Sequence, residues 1–263
     1  MTAAHSPAGQ ISVRVFGGPT ALIAYGGLNF LTDPTFDAPG EYPMDELITL
    51  VKTAPAPMAP ADLGRIDVVL LSHDEHPDNL DHSGRALLAE VPLTLTTPGG
   101  GMRLGEGAKG LADWEPVVLD RPDGGAVTVT GVPAVHGPGP RAEVEKGAGQ
   151  VVGFVLTSDD LPSVYVSGDN ASMDAVQQIA KRFGPVDTAV LFAGAPRLPI
   201  SPDGQLGPLL VLDSAQAAKA AQILGARRVV PAHCDSWAHF TESREDLVSA
   251  FTEAGLADRL QLS

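Results

Sequence analysis

The sequence predicts an α/β fold in which sheets are layered with helices outside them, and three observations carry that expectation. β-rich stretches occupy two parts of the chain, near residues 11–33 and 116–169, and helix-patterned segments alternate with apolar strands in the last third. No linker-like segment separates these regions, and no short repeat recurs. Two β-rich halves with helices on their outer sides make a sandwich around one core. Residues 1–263 are therefore expected to form a single domain.

The elements follow in order. "ISVRVF", "TALIAY" and "LNFLTD" are broken by "GGP" and "GG", a pattern of strands joined by tight hairpins. A short helix is expected near residues 44–50, and the Pro-rich "KTAPAPMAPADLG" after it reads as a loop. "RIDVVLLS" is a continuous apolar run, typical of a strand buried on both faces. "SGRALLAEV" has helical spacing, with Ser83 expected as its N-cap. "PLTLTT" is a strand, and "GGGMRLGEG" a glycine-rich turn into a weak helix. Strands return in "PVVLD", "GAVTVTGVPAV", "VVGFVLTS" and "SVYVSGD". Helix "SMDAVQQIAKRF", strand "VDTAVLFAG", helix "LDSAQAAKAAQILG", strand "ARRVVPAH" and helix "SREDLVSAFTEAG" complete the chain.

Composition excludes several classes. An apolar fraction of 44% is that of a globular protein. With 17 basic against 32 acidic residues the chain carries −15, which repels phosphate backbones and disfavours a nucleic-acid substrate, so no nucleic-acid partner is expected. Cys234 is the single cysteine, so no internal disulfide forms. The start "MTAAHSPAGQ" has neither a basic region nor an apolar core. No apolar stretch approaches the ~18 residues that span a bilayer. The expectation is a cytoplasmic protein with a small-molecule substrate and no membrane partner, free to form a homo-oligomer.

Chemistry collects at strand ends. "LNFLTDP" ends in Asp33, and "VVLLSHDEHPDN" in His73, Asp74, His76 and Asp78. "TGVPAVHGPGP" ends in His136, "SVYVSGDN" in Asp169 and "RVVPAHCDSW" in His233. Each alone reads as a turn or hydrogen-bonding residue, Asp33 in "TDPT" above all. Five strands finishing in the same way point to a shared pocket. Imidazole with carboxylate suits one or two divalent metal ions, zinc first and manganese or iron as alternatives. Ligands dispersed from residue 73 to residue 233 fit a catalytic rather than a structural site. No G-x-S-x-G is present, and Cys234 beside His233 reads as an inert buried thiol.

"LTDP", "LLSHDEHPDNLD", "PAVHGP", "VSGDN" and "PAHCDSWAHF" occur in the order found in the metallo-β-lactamase superfamily, which the chain resembles through most of its length. The likeness is to the branch of the ascorbate-6-phosphate lactonases and N-acyl-phosphatidylethanolamine phospholipase D enzymes. The resemblance implies a four-layer αββα sandwich with the metal site at one edge of the sheets. The main motif departs from the family's H-x-H-x-D-H. Either Asp74 takes the first position, as Asp74-x-His76-x-Asp78-Asn79, or His73 does with one residue bulging. Alternation along an extended segment favours Asp74.

The resemblance further implies that His76, His136 and Asp169, with Asp74 or His73, hold one metal. Asp169 would bridge to a second, held by Asp78 and His233, with Asn79 where the family has an imidazole. Asp78 would orient the attacking water or accept its proton. Asn79, Arg141, Arg197, Trp237 and His239 are candidate substrate contacts, the long "FAGAPRLPISPDGQLGPLLVLD" being of functional-loop length. A metal-dependent hydrolase of a small ester, lactone or phosphodiester is expected. The alternatives are a degenerate binding protein and an iron-dependent oxidoreductase of the same superfamily.

Overall fold

A computed structural model describes residues 11–262. The stretch expected to lack a leader, residues 1–10, lies outside the described residues. Ser12–Val15 (β1), Ala21–Tyr25 (β2) and Leu28–Thr32 (β3) form an antiparallel meander. Gly40–Pro43 (β4) and Thr49–Lys52 (β5) leave it as a separate hairpin. Val68–Leu70 (β6), Leu93–Thr96 (β7) and Ala108–Gly110 (β8) then extend the sheet from β3 in parallel. Parallel neighbours need crossovers, supplied by His82–Leu88 (α1) and Pro98–Leu104 (α2).

The second sheet repeats this plan. Pro116–Asp120 (β9), Ala126–Pro133 (β10), Val152–Ser158 (β11) and Leu161–Val166 (β12) are antiparallel, with Arg141–Ala148 (α3) between β10 and β11. Met173–Phe183 (α4), Thr188–Phe192 (β13), Ser214–Leu224 (α5), Arg228–Ala232 (β14) and Arg244–Glu253 (α6) follow, β12, β13 and β14 being parallel.

The strands alternate their side chains between two apolar layers. Phe30, Leu70 and Leu95 of the first sheet meet Val129, Phe154, Val166 and Phe192 of the second in the central core. One residue along, Val155, Tyr165, Ala189 and Leu191 face outward onto Val176 and Ile179 of α4, Ala221 of α5 and Phe251 of α6. On the opposite outer face, Leu31, Val69 and Leu71 pack with Leu87 of α1. The result is the αββα order. β3 and β6 run together, and β10, β12 and β14 share one direction, so the C-terminal ends of these strands collect at common edges.

Three local expectations are corrected. Residues 44–50 form no helix. Asp45 Oδ1 accepts from the amides of Leu47 and Ile48, both at 2.7 Å, and this closes a tight turn between β4 and β5. Asp81, not Ser83, caps α1, its Oδ1 accepting from Gly84 N at 2.8 Å, while the Ser83 hydroxyl donates to Asp37. The glycine run lies within α2 rather than ahead of it, and it lets the helix approach β8, since a Cβ on Gly101 would sit 2.5 Å from Gly110 N. α3 and β8 carried no usable sequence pattern. Among the described residues no helix is long and apolar enough to cross a membrane.

Gly84 seats α1 on the loop that follows β3, where an added Cβ would lie 1.8 Å from the Pro34 carbonyl oxygen. Gly84→Ala must push helix and loop apart. It is expected to lower stability by about 1–3 kcal/mol in urea denaturation followed by circular dichroism.

Candidate metal centre

After β6 the chain bends instead of extending, and His76 O accepts from the amides of Asn79 and Leu80 at 3.1 and 2.9 Å. In that bend residues 73 and 76 face the same way, with ring centroids 4.6 Å apart. Asp74 turns away from these rings and is held, buried, in a bidentate pair by Arg103, at 2.5 Å from Nη2 and 3.0 Å from Nε. The expectation that Asp74 takes the first motif position is therefore corrected. It assumed strand alternation, which the segment lacks, and His73 stands there instead.

His73, His76 and His136 bring their nitrogens together. His73 Nε2 lies 2.8 Å from His76 Nδ1, which lies 3.2 Å from His136 Nε2. Their neighbours set the tautomers. His136 Nδ1 donates to the Leu210 carbonyl at 2.9 Å, leaving a lone pair on Nε2. Ser72 Oγ donates to Asp33 Oδ1 at 2.6 Å, so it accepts from His73 Nδ1 at 3.0 Å and leaves the Nε2 lone pair inward. Asp33 thus acts behind the cluster, as a support.

A second group consists of Asp78, Asp169 and His233, whose donor atoms lie within 4.8 Å of one another. His233 Nε2 is 3.2 Å from Asp78 Oδ2, and its Nδ1 is 3.6 Å from Asp169 Oδ1. The other Asp169 oxygen is 3.5 Å from His136 Nε2, so this carboxylate spans the two groups. His233 has φ +54°, a left-handed turn that ends β14 abruptly. Backbone strain of this kind collects at functional sites.

Burial pushes His73 well below its ordinary value, and the neighbouring His76 and His136 add to the effect. Burial and His136 likewise bring His76 down to about 4. Burial alone would raise Asp78, but hydrogen bonds from His233 and His239 prevail and hold its carboxyl well below the usual range. For His233, burial is overcome by Asp169 and Asp78, which favour the imidazolium. Burial thus favours neutral His73 and His76, while the two carboxylates favour a proton on His233. Asp169 Oδ2 and His233 Nδ1 are buried without a hydrogen-bond partner. Such orphaned atoms are destabilising unless something satisfies them. This donor set fits one or two divalent cations, which would displace the proton that the carboxylates hold on His233.

The remaining expected residues divide. His239 Nε2 reaches Asp78 Oδ2 at 3.0 Å, which places it in the centre. Asn79 is buried behind the centre and donates to Asp169 Oδ1 at 3.1 Å. As a substrate contact it is corrected, because no substrate reaches a fully buried amide. Arg141 is paired with Asp113 and Glu145 away from the centre, and Arg197 donates to the Gly207 carbonyl at 2.8 Å. Neither arginine lines the cavity that opens onto the centre, so the structure lends no support to their expected contact with an anion there. Trp237 is buried against Tyr42, centroids 5.3 Å apart, and packs rather than lining the centre. Burial pushes the Cys234 thiol up to about 12, as expected of an inert thiol.

A cavity of about 330 Å³ opens onto His76, Asp78, His136, Asp169, His233 and His239. Met44, Ile48 and Leu50 from the β4–β5 hairpin and Pro196, Leu198 and Leu210 from the loop after β13 supply apolar wall.

A family model described as the beta-lactamase superfamily domain matches residues 28–234, a span that contains every residue of the centre except His239. The chain belongs to the metallo-β-lactamase superfamily. A metal-dependent hydrolase of Pyrococcus horikoshii is 23% identical over 191 residues, 71% of this chain and 75% of that protein. A possible metal-dependent hydrolase of Veillonella parvula has the same fold, with TM-score 0.78 at 16% identity over 97% of both chains. So has an isothiocyanate hydrolase from Delia radicum gut bacteria, with TM-score 0.75 at 20% identity over 95% of both.

Within this superfamily fold, sequence reasoning missed one buried ion pair that ties the site's segments together. Lys52 Nζ lies 2.9 Å from Asp81 Oδ2, the two side chains being 2% and 0% exposed. Asp81 follows Asp78 by three residues and also accepts from Asp37 N at 2.7 Å. Beside Lys52, Thr53 N donates to Ser236 O and Ala238 N to Val51 O, docking the His239 segment on β5. A lone Lys in "ITLVKT" gives no sequence signal of this role. Lys52→Met leaves a buried carboxylate unpaired and is expected to lower stability by about 3–5 kcal/mol in urea denaturation. Adding Asp81→Asn, which keeps an oxygen for the α1 cap, is expected to recover part of that loss.

Proposed function

We propose that this metal-dependent hydrolase of the superfamily cleaves small, uncharged carboxylic esters or lactones, with its cations held by His73, His76 and His136 and by Asp78, Asp169 and His233. The observation that carries the proposal is the pairing of this donor set with a cavity whose lining includes no Lys or Arg. Clamping a phosphoryl group usually calls on arginine or lysine. Arg141 and Arg197, the arginines expected to meet an anion, are absent from that lining. The reading therefore favours a neutral carbonyl over a phosphodiester.

A bound divalent cation would supply an acidified water and polarise the substrate carbonyl. The chain's own groups do the rest. Asp78, kept ionised by His233 and His239, accepts the proton of the attacking water. His136 and His73 are oriented through Leu210 O and through Ser72 and Asp33, so their lone pairs do not turn away. The apolar walls hold the substrate body and exclude bulk water from the centre.

Metal content and turnover test the proposal together. Protein grown with zinc or manganese is expected to keep stoichiometric metal through dialysis. His73→Ala and His136→Ala are expected to lose metal, while Asp74→Asn retains it. Asp78→Asn is expected to lower kcat on neutral esters by about 10²–10⁴. A panel of ester, lactone, phosphodiester and, after the fold neighbour, an isothiocyanate distinguishes the substrate classes. Phosphodiester turnover exceeding that of every neutral substrate would reject the proposed class.

A further inference from the structure

The apolar wall of the cavity does not stop at the metal centre. On the β4–β5 hairpin Tyr42 pairs with Leu50, so the next same-face pair is Met44 with Ile48, joined by Met44 N to Ile48 O at 2.9 Å. Leu50, Ile48 and Met44 thus form one stripe, and all three line the cavity. The stripe runs from fully buried Leu50 to Met44, which is 40% exposed.

The loop after β13 supplies the facing stripe. Residues 198–207 form a small hairpin of their own: Gly207 N donates to Leu198 O and Ile200 N to Gln205 O, both at 2.8 Å, around the bridge between Pro199 and Leu206. Alternation puts Leu198 and Ile200 on one face. Gly207 confirms it, since a Cβ there would meet Ile200 Cγ2 at 2.8 Å. Leu198 lines the cavity, and Ile200 continues its face outward with 56% exposure. Arg197 staples the base of this hairpin to Gly207 O and, through its amide, to His239 O at 3.1 Å. The apolar face is thereby fixed in position relative to His239.

We propose that these two stripes form an apolar channel from the cations to the surface, and that its occupant is an unbranched acyl or alkyl chain on the substrate. This rests on the hydrolytic reading above and narrows it to esters or lactones that carry such a chain. Three points argue for that occupant. The channel is continuous with the reaction cavity. Its walls are aliphatic, with Gly147 and Ala148 adding no bulk. Asp45, the acidic residue among its wall positions, has an oxygen taken up by the amides of Leu47 and Ile48. A group lying between two aliphatic faces gains by burying methylenes, and an exposed apolar strip at a cavity mouth marks a place where ligand is covered.

The test is a series of p-nitrophenyl esters from acetate through butyrate and hexanoate to octanoate, on metal-loaded protein. kcat/KM is expected to rise about three- to fourfold for each methylene buried, then to level off once the chain passes Ile200. Ile200→Ser and Leu198→Ala should lower the octanoate-to-acetate ratio of kcat/KM by about tenfold. Val118→Ser, on β9 away from the cavity, should not change it. A ratio that is flat in the wild type, or unmoved by both channel variants, overturns the channel. Should no ester be cleaved, calorimetry of the product carboxylates on the same protein separates the two ideas. Affinity that climbs from acetate to octanoate keeps the channel while the hydrolytic reading fails, and equal affinity removes the channel as well.

Discussion

Everything at this site depends on the energetic penalty of gathering imidazoles and carboxylates out of water. His73 and His76, buried against each other and against His136, are disfavoured as imidazolium ions, and two carboxylates nearby cannot both lie unpaired. The fold meets the demand from behind, through Leu210 O, through Ser72 with Asp33, and through Asn79 on Asp169. From the front it leaves lone pairs and orphaned atoms that a cation can satisfy. The same constraint explains the inert Cys234 beside His233, since burial raises the thiol and keeps it from competing as a thiolate.

Rigidity for this arrangement comes from the strands. β6, β10, β12 and β14 are anchored in the central core by residues such as Leu70, Val129, Val166 and Val230, and each releases its functional side chain within a few residues of its end. The loops beyond are not loose. Lys52 and Asp81 join the β4–β5 hairpin to the Asp78 segment, and the Arg197 amide on His239 O and the bridge of Pro196 to Phe240 join the other wall to the His239 segment. Walls and centre are therefore joined by direct contacts.

Departures from the superfamily motif acquire a physical account here. Where an imidazole is usual, Asn79 points into the protein and braces Asp169, while His239 reaches Asp78 from a distant loop. Asp74, freed from the centre, binds Arg103 of α2 and ties that helix to the loop after β6. The cavity lining carries no Lys or Arg, so its positive charge would come from imidazolium and from the cations that the donor set would hold.

By itself the sequence determined the layers and the list of donors. Apolar runs of period two, helical spacing and strand ends finishing in His or Asp are local patterns, and they need no knowledge of what packs where. The spacing of "SHDEHPDN" could not choose between His73 and Asp74, because that choice depends on whether the segment extends or bends, which tertiary contacts with Arg103 and the centre decide. Neither could it reveal that Asp45 closes a turn, that Lys52 is buried on Asp81, or that Arg141 is paired with Asp113 and Glu145. Each of those is a contact between residues whose partners are specified by the folded backbone rather than by their neighbours in the chain. The cavity walls belong to the same kind, since Ile48, Leu198 and Leu210 become a surface only when two separate loops face each other.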